Sequence, residues 1–98
     1  METQKWSEEM YEIVTFQQIE ESLKGKSYQV FELVEESLCG MDEYVVVESE
    51  KLRIVVHPEE FQFFVHKWTG KVFKPFERGT YSDLEELIGA IEDFNRNA

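Results

Sequence analysis

The chain has 98 residues, with 21 acidic against 10 basic side chains and a formal net charge of −11. That length allows one domain with its own core, and a composition 42% hydrophobic and 14% aromatic excludes a disordered polar chain. The lone Cys39 excludes a disulfide framework or a multi-cysteine metal site, and no apolar run approaches the roughly 20 residues that span a bilayer.

Residues 1–26 read as helical, in one piece or two. Thr15-Phe16-Gln17-Gln18 fits a capping box, with the Thr15 hydroxyl accepting from the Gln18 amide and the Gln18 side chain reaching back. Phe16, Ile19 and Leu23 then share a face, and Gly25 suits the helix stop. The β-branched pair Ile13-Val14 leaves residues 7–14 open between helix and strand. The first ten residues are acidic and polar, unlike a signal peptide, so the expected compartment is the cytoplasm.

Five strands are predicted next, at residues 28–34, 44–48, 52–57, 61–68 and 72–76, from β-branched and aromatic alternation. Residues 38–41 form a loop around Gly40, Ser49-Glu50 a polar turn, and Thr69-Gly70 a tight turn. Pro58 cannot sit inside a paired strand and marks the turn between the third and fourth; Pro75 makes the fifth an edge strand or a fraying one. Ser82-Asp83-Leu84-Glu85 is a capping box opening a final helix, whose apolar stripe is Leu84, Leu87, Ile88, Ile91 and Phe94. Short connections make the strands antiparallel and sequential. The expected fold is α+β: an antiparallel meander of four to five strands, flanked by an N-terminal and a C-terminal helix, as a single domain over 1–98.

If His57 lies opposite Phe61, one sheet face carries Arg53, Val55, His57, Phe61, Phe63, Val65 and Lys67. The other carries Leu52, Ile54, Val56, Gln62, Phe64, His66 and Trp68. Both are substantially apolar, so either helical segments cover both faces or one face keeps an exposed patch that calls for a partner.

Charge is lopsided. Residues 1–50 sum to −10 and residues 51–98 to −1, with a small basic cluster at Lys67, Lys71, Lys74 and Arg78. Such a field repels nucleic acid and anionic membrane and attracts basic surfaces. The basic hairpin Lys67-Trp68-Thr69-Gly70-Lys71 has the residue types that stack bases and hold phosphates, yet lysines on an edge hairpin also guard against sheet-to-sheet pairing, and the overall field favours that second role.

No catalytic motif is present. His57 and His66, in the register above, lie on opposite faces and roughly 15 Å apart, too far to share a metal. Acidic neighbours disfavour the Cys39 thiolate, which leaves it a small packed residue. Adjacent carboxylates such as Glu35-Glu36 and Glu59-Glu60 diverge, so nothing desolvates one of a pair for acid–base work. The expectation is a protein that is not an enzyme, with no metal and no cofactor. Its expected partner is a basic protein surface, of the kind nucleic-acid-binding proteins present, engaged by Glu35, Glu36, Asp42, Glu43, Asp83, Glu86 and Asp93, with no direct contact to nucleic acid or membrane. Carboxylates spaced along a surface can imitate backbone phosphates. The alternative is a homodimeric assembly module using an aromatic sheet face at Phe61, Phe63, Phe64 and Trp68.

In size, charge and α+β organisation the chain is similar to small inhibitor proteins that imitate nucleic acid, such as phage-encoded anti-restriction or anti-CRISPR proteins, and to toxin-immunity proteins. The resemblance is one of composition and carries no motif. What it implies is a binding protein that blocks a basic partner.

Overall fold

A computed structural model describes residues 13–38 and 40–97. Helix α1 (Phe16–Ser22) is followed by strands β1 (Gln29–Ser37), β2 (Gly40–Glu48), β3 (Leu52–His57), β4 (Gln62–Trp68) and β5 (Phe73–Thr80), and then by helix α2 (Leu84–Arg96). The strands form one antiparallel sheet in the order β1-β2-β3-β4-β5, the expected meander with a helix before and after it. Residues 1–12 and Cys39, and with them the helix expected before Ile13 and the packing expected of the thiol, lie outside the described residues. No helix among the described residues is long and apolar enough to cross a membrane.

Helix α1 starts where its sequence says. The Thr15 hydroxyl accepts from the Gln18 amide at 3.2 Å, and Gln18 Oε1 accepts from the Thr15 amide at 3.0 Å. The helix caps at Leu23, two residues before the left-handed Gly25, so the described helix is shorter than the expected segment ending at residue 26. For α2 the cap is Asp83, not Ser82: Asp83 Oδ1 accepts from the Glu86 amide at 2.8 Å. Ser82 instead donates both its amide and its hydroxyl to the Glu86 carboxylate, at 2.7 and 2.8 Å, so the Glu86 side chain holds the residue before the cap and does not close a reciprocal box with Asp83.

Both helices lie on one face of the sheet. Ile19 and Leu23 of the first segment and Leu87 and Ile91 of the last are buried there with Val45, Val47, Ile54, Val56, Phe63 and Val65. The faces differ from expectation by one residue on β4. Pro58 opens a single 3-10 turn, Pro58–Glu60, and Phe61 closes it with a left-handed backbone at φ 54. That turn takes up Phe61, so pairing begins with His57 opposite Gln62. A one-residue slip exchanges the faces of a strand. Phe63 therefore points into the core, 4% exposed, and Phe61 packs on Tyr81 with ring centroids 6.0 Å apart. Phe64 and Trp68 share the opposite face with Arg53, Val55 and His57, the side that no described helix covers. The four aromatics grouped from sequence as one oligomer face are thus divided between two sides.

Strand β5 is an edge strand, as Pro75 requires, and a bulge at Val65/His66 leaves Phe76 as its extra residue. Strands β1 and β2 run longer than expected. The pairing of β2 with β3 ends at Val45, opposite Val56, but its pairing with β1 continues through Glu43, Asp42, Met41 and Gly40. Residues read as a loop around Gly40 are thus the end of a two-stranded ribbon that projects roughly 13 Å past the sheet at ~3.3 Å per residue.

Candidate functional site

A meander returns to the same end of its sheet at every second connection. The β1–β2 ribbon, the Pro58–Glu60 turn between β3 and β4, and the β5–α2 junction therefore stand together at one end. The 24–28 connection, the 49–51 turn and the 69–72 turn stand at the other. Charge follows this division in part. The first end carries Glu32, Glu35, Glu36, Asp42, Glu43, Glu59, Glu60, Asp83, Glu85 and Glu86, with no described lysine or arginine among them. Lys24, Lys26, Lys51, Arg53, Lys67, Lys71, Lys74 and Arg96 lie toward the other end together with Glu20, Glu21, Glu48, Glu50, Glu92 and Asp93, where Lys26 pairs with Glu92 and Arg53 with Glu48; Arg78, opposite Phe64, is the described cation nearest the acidic end.

The ribbon is the densest part of the acidic end. Glu35 and Asp42 are direct cross-strand partners on the side continuous with the open sheet face. Glu43 opposite Val34 and Glu36 opposite Met41 occupy the helix side. Leu38 at the tip is fully exposed, and Val34 and Met41 are exposed as well. None of the four carboxylates pairs with a described lysine or arginine. Like charges directly opposite on neighbouring strands destabilise the pair, by about 0.2–1 kcal/mol. The convergence also registers on Tyr44: burial, then the charges of Asp42, Glu35 and Glu60, push its phenol above the usual range. On the helix side, Glu32, Glu43 and Glu59 rim a recess of roughly 270 Å³ with Val14 and Phe16 in its lining, and Glu60 and Glu86 line a second recess beside Tyr81.

The seven acids named from sequence therefore separate into three groups. Glu35, Glu36, Asp42 and Glu43 come together on the ribbon. Asp83 and Glu86 stand at the same end of the molecule, but both are engaged in capping α2. Asp93 lies near the far end of α2 and pairs with Arg96 at 2.7 Å, so it is not part of the cluster. Glu32, Glu59, Glu60 and Glu85 belong to the acidic end and were missed. The signal for Glu59 and Glu60 was available: the turn after the third strand of a meander must return to the end of the turn after the first.

His57 and His66 lie on the same face, not on opposite faces, because of the register of β4. His66 pairs with Arg53 and its Nδ1 lies 3.3 Å from the Arg53 carbonyl, while His57 sits at the other end of β3 between the rings of Tyr44 (4.4 Å) and Phe64 (4.8 Å). Four residue steps, roughly 13 Å, still separate them. No group of three or more His, Cys, Asp or Glu able to hold a metal occurs among the described residues. The aromatic part of the basic hairpin is turned inward on itself: Trp68 and Phe73 rings lie 5.0 Å apart with the Arg53 guanidinium 4.5 Å from the Phe73 ring.

Compared with known protein families, curated proteins and solved structures, the chain matches none.

Proposed function

We propose that this protein is a small non-enzymatic binding protein that engages a basic protein surface with its acidic end, the β1–β2 ribbon foremost. The observation that carries the reading is the concentration of Glu35, Glu36, Asp42 and Glu43, with no cation partner among the described residues, on a projecting ribbon with an apolar tip. A lysine or arginine placed between Glu35 and Asp42 relieves their mutual repulsion and gains charge-assisted hydrogen bonds. Leu38, Val34 and Met41 add apolar contact that a solvated acidic surface alone does not offer. A partner with a phosphate-binding groove presents the required cations, so the ribbon stands in for a charged backbone there. Association is expected to be fast and salt-sensitive, because exposed charges steer encounter and are screened beyond about 8 Å at physiological ionic strength.

The test compares three immobilised proteins against lysate of the source cells: wild type, Glu35→Lys/Asp42→Lys, and Asp93→Lys as a far-end control. The expected result is a basic protein retained by wild type and by the control, released by about 0.5 M salt and absent from the ribbon variant. Capture indifferent to both salt and ribbon charge would remove the proposal.

A further inference from the structure

We infer that the partner binds as a strand: an extended basic segment adds to the free edge of β1 as a sixth, antiparallel member of the sheet. The inference rests on the proposed function and names the form of the partner at that site.

The two edges of the sheet are built differently. Strand β5 carries Pro75, which has no N–H to donate, and a bulge opposite Val65/His66 breaks its register. Lys71 in the turn before it and Lys74 within it add charge. Natural sheets blunt their edges with such features. Strand β1 has none of them. Its nine residues pair with β2 in one unbroken register, without proline, bulge or lysine. Every second residue of an antiparallel edge strand turns its N–H and C=O away from its neighbour. On β1 these outward groups have no backbone partner among the described residues.

The side chains of β1 repeat the contrast. Phe31 and Leu33 are 41% and 40% exposed on the open side of the sheet, and Val34 is 50% exposed on the helix side. A strand laid alongside covers all three with cross-strand neighbours. Glu32, Glu35 and Glu36 stand among them, and none pairs with a described lysine or arginine.

Charge decides the occupant. A second copy of β1 brings three glutamates beside the same three, and like charges across strands oppose that pairing. A strand bearing lysine or arginine is attracted instead. The pleat then sets the pattern of the partner. On the open side Phe31 and Leu33 call for apolar neighbours and Glu35 for a cation; on the helix side Val34 calls for an apolar neighbour, and Glu32 and Glu36 for cations. An antiparallel segment that meets residues 36 to 31 in turn reads lysine, lysine, valine, valine, lysine, valine.

That segment, extended by two threonines and capped at both ends, is the probe, titrated into the full chain and followed by amide NMR and hydrogen exchange. Three forms are compared: unmodified, and N-methylated at one or the other set of alternate amides. All three carry the same charge, but only one set of amides faces β1. The unmodified peptide is expected to bind and to slow exchange at alternate amides of β1 but not of β5. One methylated form is expected to bind at least about tenfold more weakly, and the other as the parent does. Glu32→Lys is expected to weaken the unmodified peptide about fivefold or more. Equal affinity of the two methylated forms overturns strand addition and leaves the acidic-end reading standing, since charge alone then accounts for binding. Protection on β5 in place of β1, or no binding up to about 1 mM peptide, overturns the inference as well. The wider reading falls only on its own test, the capture that ignores salt and ribbon charge.

Discussion

Tyr81 offers a quantitative check on the core. Its ring is 3% exposed, between Phe61 at 6.0 Å and Phe63 at 6.5 Å, and its hydroxyl is buried with no hydrogen-bond partner among the described residues. Burial pushes the phenol up to about 12 from its ordinary 10.0. Replacing it by phenylalanine keeps the packing and deletes the unsatisfied group. At pH 8 the Tyr81→Phe variant is expected to match the wild type or to exceed it by about 1 kcal/mol, since leaving a buried hydroxyl unpaired costs about 1–3 kcal/mol. The pH dependence carries its own sign. A proton held more tightly in the folded state stabilises it fully below pH 10, and that contribution is lost as pH rises through the folded value. At pH 11, one unit above the unfolded value, the wild type has lost about 1.4 kcal/mol through this group and the variant nothing. Tyr28 and Tyr44 are also raised, but they are present in both proteins and cancel in the difference. Urea unfolding of the pair at pH 8 and pH 11 measures it. A variant less stable by more than about 1 kcal/mol at pH 8, or a gap that does not widen at pH 11, would refute the reasoning.

Gly79→Ala places a Cβ 2.7 Å from Phe63 Cζ, where Tyr81 and Phe94 already confine the ring, so thermal unfolding is expected to show a loss of about 1–3 kcal/mol, partly recovered by adding Phe63→Leu. Asp83→Ala is expected to cost about 1 kcal/mol and Ser82→Ala less, because Asp83 holds the α2 cap; equal losses from the two would contradict that assignment. Neutralising the ribbon pair with Glu35→Gln/Asp42→Asn is expected to raise stability by about 0.2–1 kcal/mol at low salt, an advantage that shrinks as salt is added; a loss would mean that these carboxylates have a partner within the fold.

The order and kind of elements were legible because local signals agreed with the global solution. Thr15 and Gln18 cap α1 as written, and the apolar stripe Leu84, Leu87, Ile88, Ile91 and Phe94 is the face that α2 packs inward. The faces of β4 were not legible. His57-Pro58-Glu59-Glu60 announces a turn, but nothing in it says whether Phe61 belongs to the turn or to the strand, and that one residue decides whether Phe63 or Phe64 enters the core. The ribbon was missed for a related reason. Glu35, Glu36, Asp42 and Glu43 have poor strand propensity, so residues past Val34 read as loop, whereas hairpin pairing carries the strand on to Ser37 and Gly40.

Ends are more robust than faces in such a fold. A register slip of one residue turns every side chain of a strand over, yet moves the adjoining turn by only about 3.3 Å along the strand. Connections in a meander alternate between ends whatever the register, and here their charges alternate with them. Lysines stand before β1, acids flank the β1–β2 connection, Lys51 lies between β2 and β3, Glu59 and Glu60 between β3 and β4, lysines in and beside the β4–β5 turn, and Asp83 before α2. Among the described residues the exceptions are Glu48 and Glu50, beside Lys51, and Glu20 and Glu21, just ahead of Lys24. Division of the chain at its midpoint attributes the acidity to the N-terminal half, because the ribbon lies there. Division by connection shows instead that halves of the sequence interleave and that the fold gathers the ribbon acids with Glu59, Glu60 and Asp83 at one end. The residues that build the acidic end could therefore be found from strand order alone, before any face was assigned, and Glu59 and Glu60 join the ribbon for the same topological reason that Lys67, Lys71 and Lys74 are kept from it.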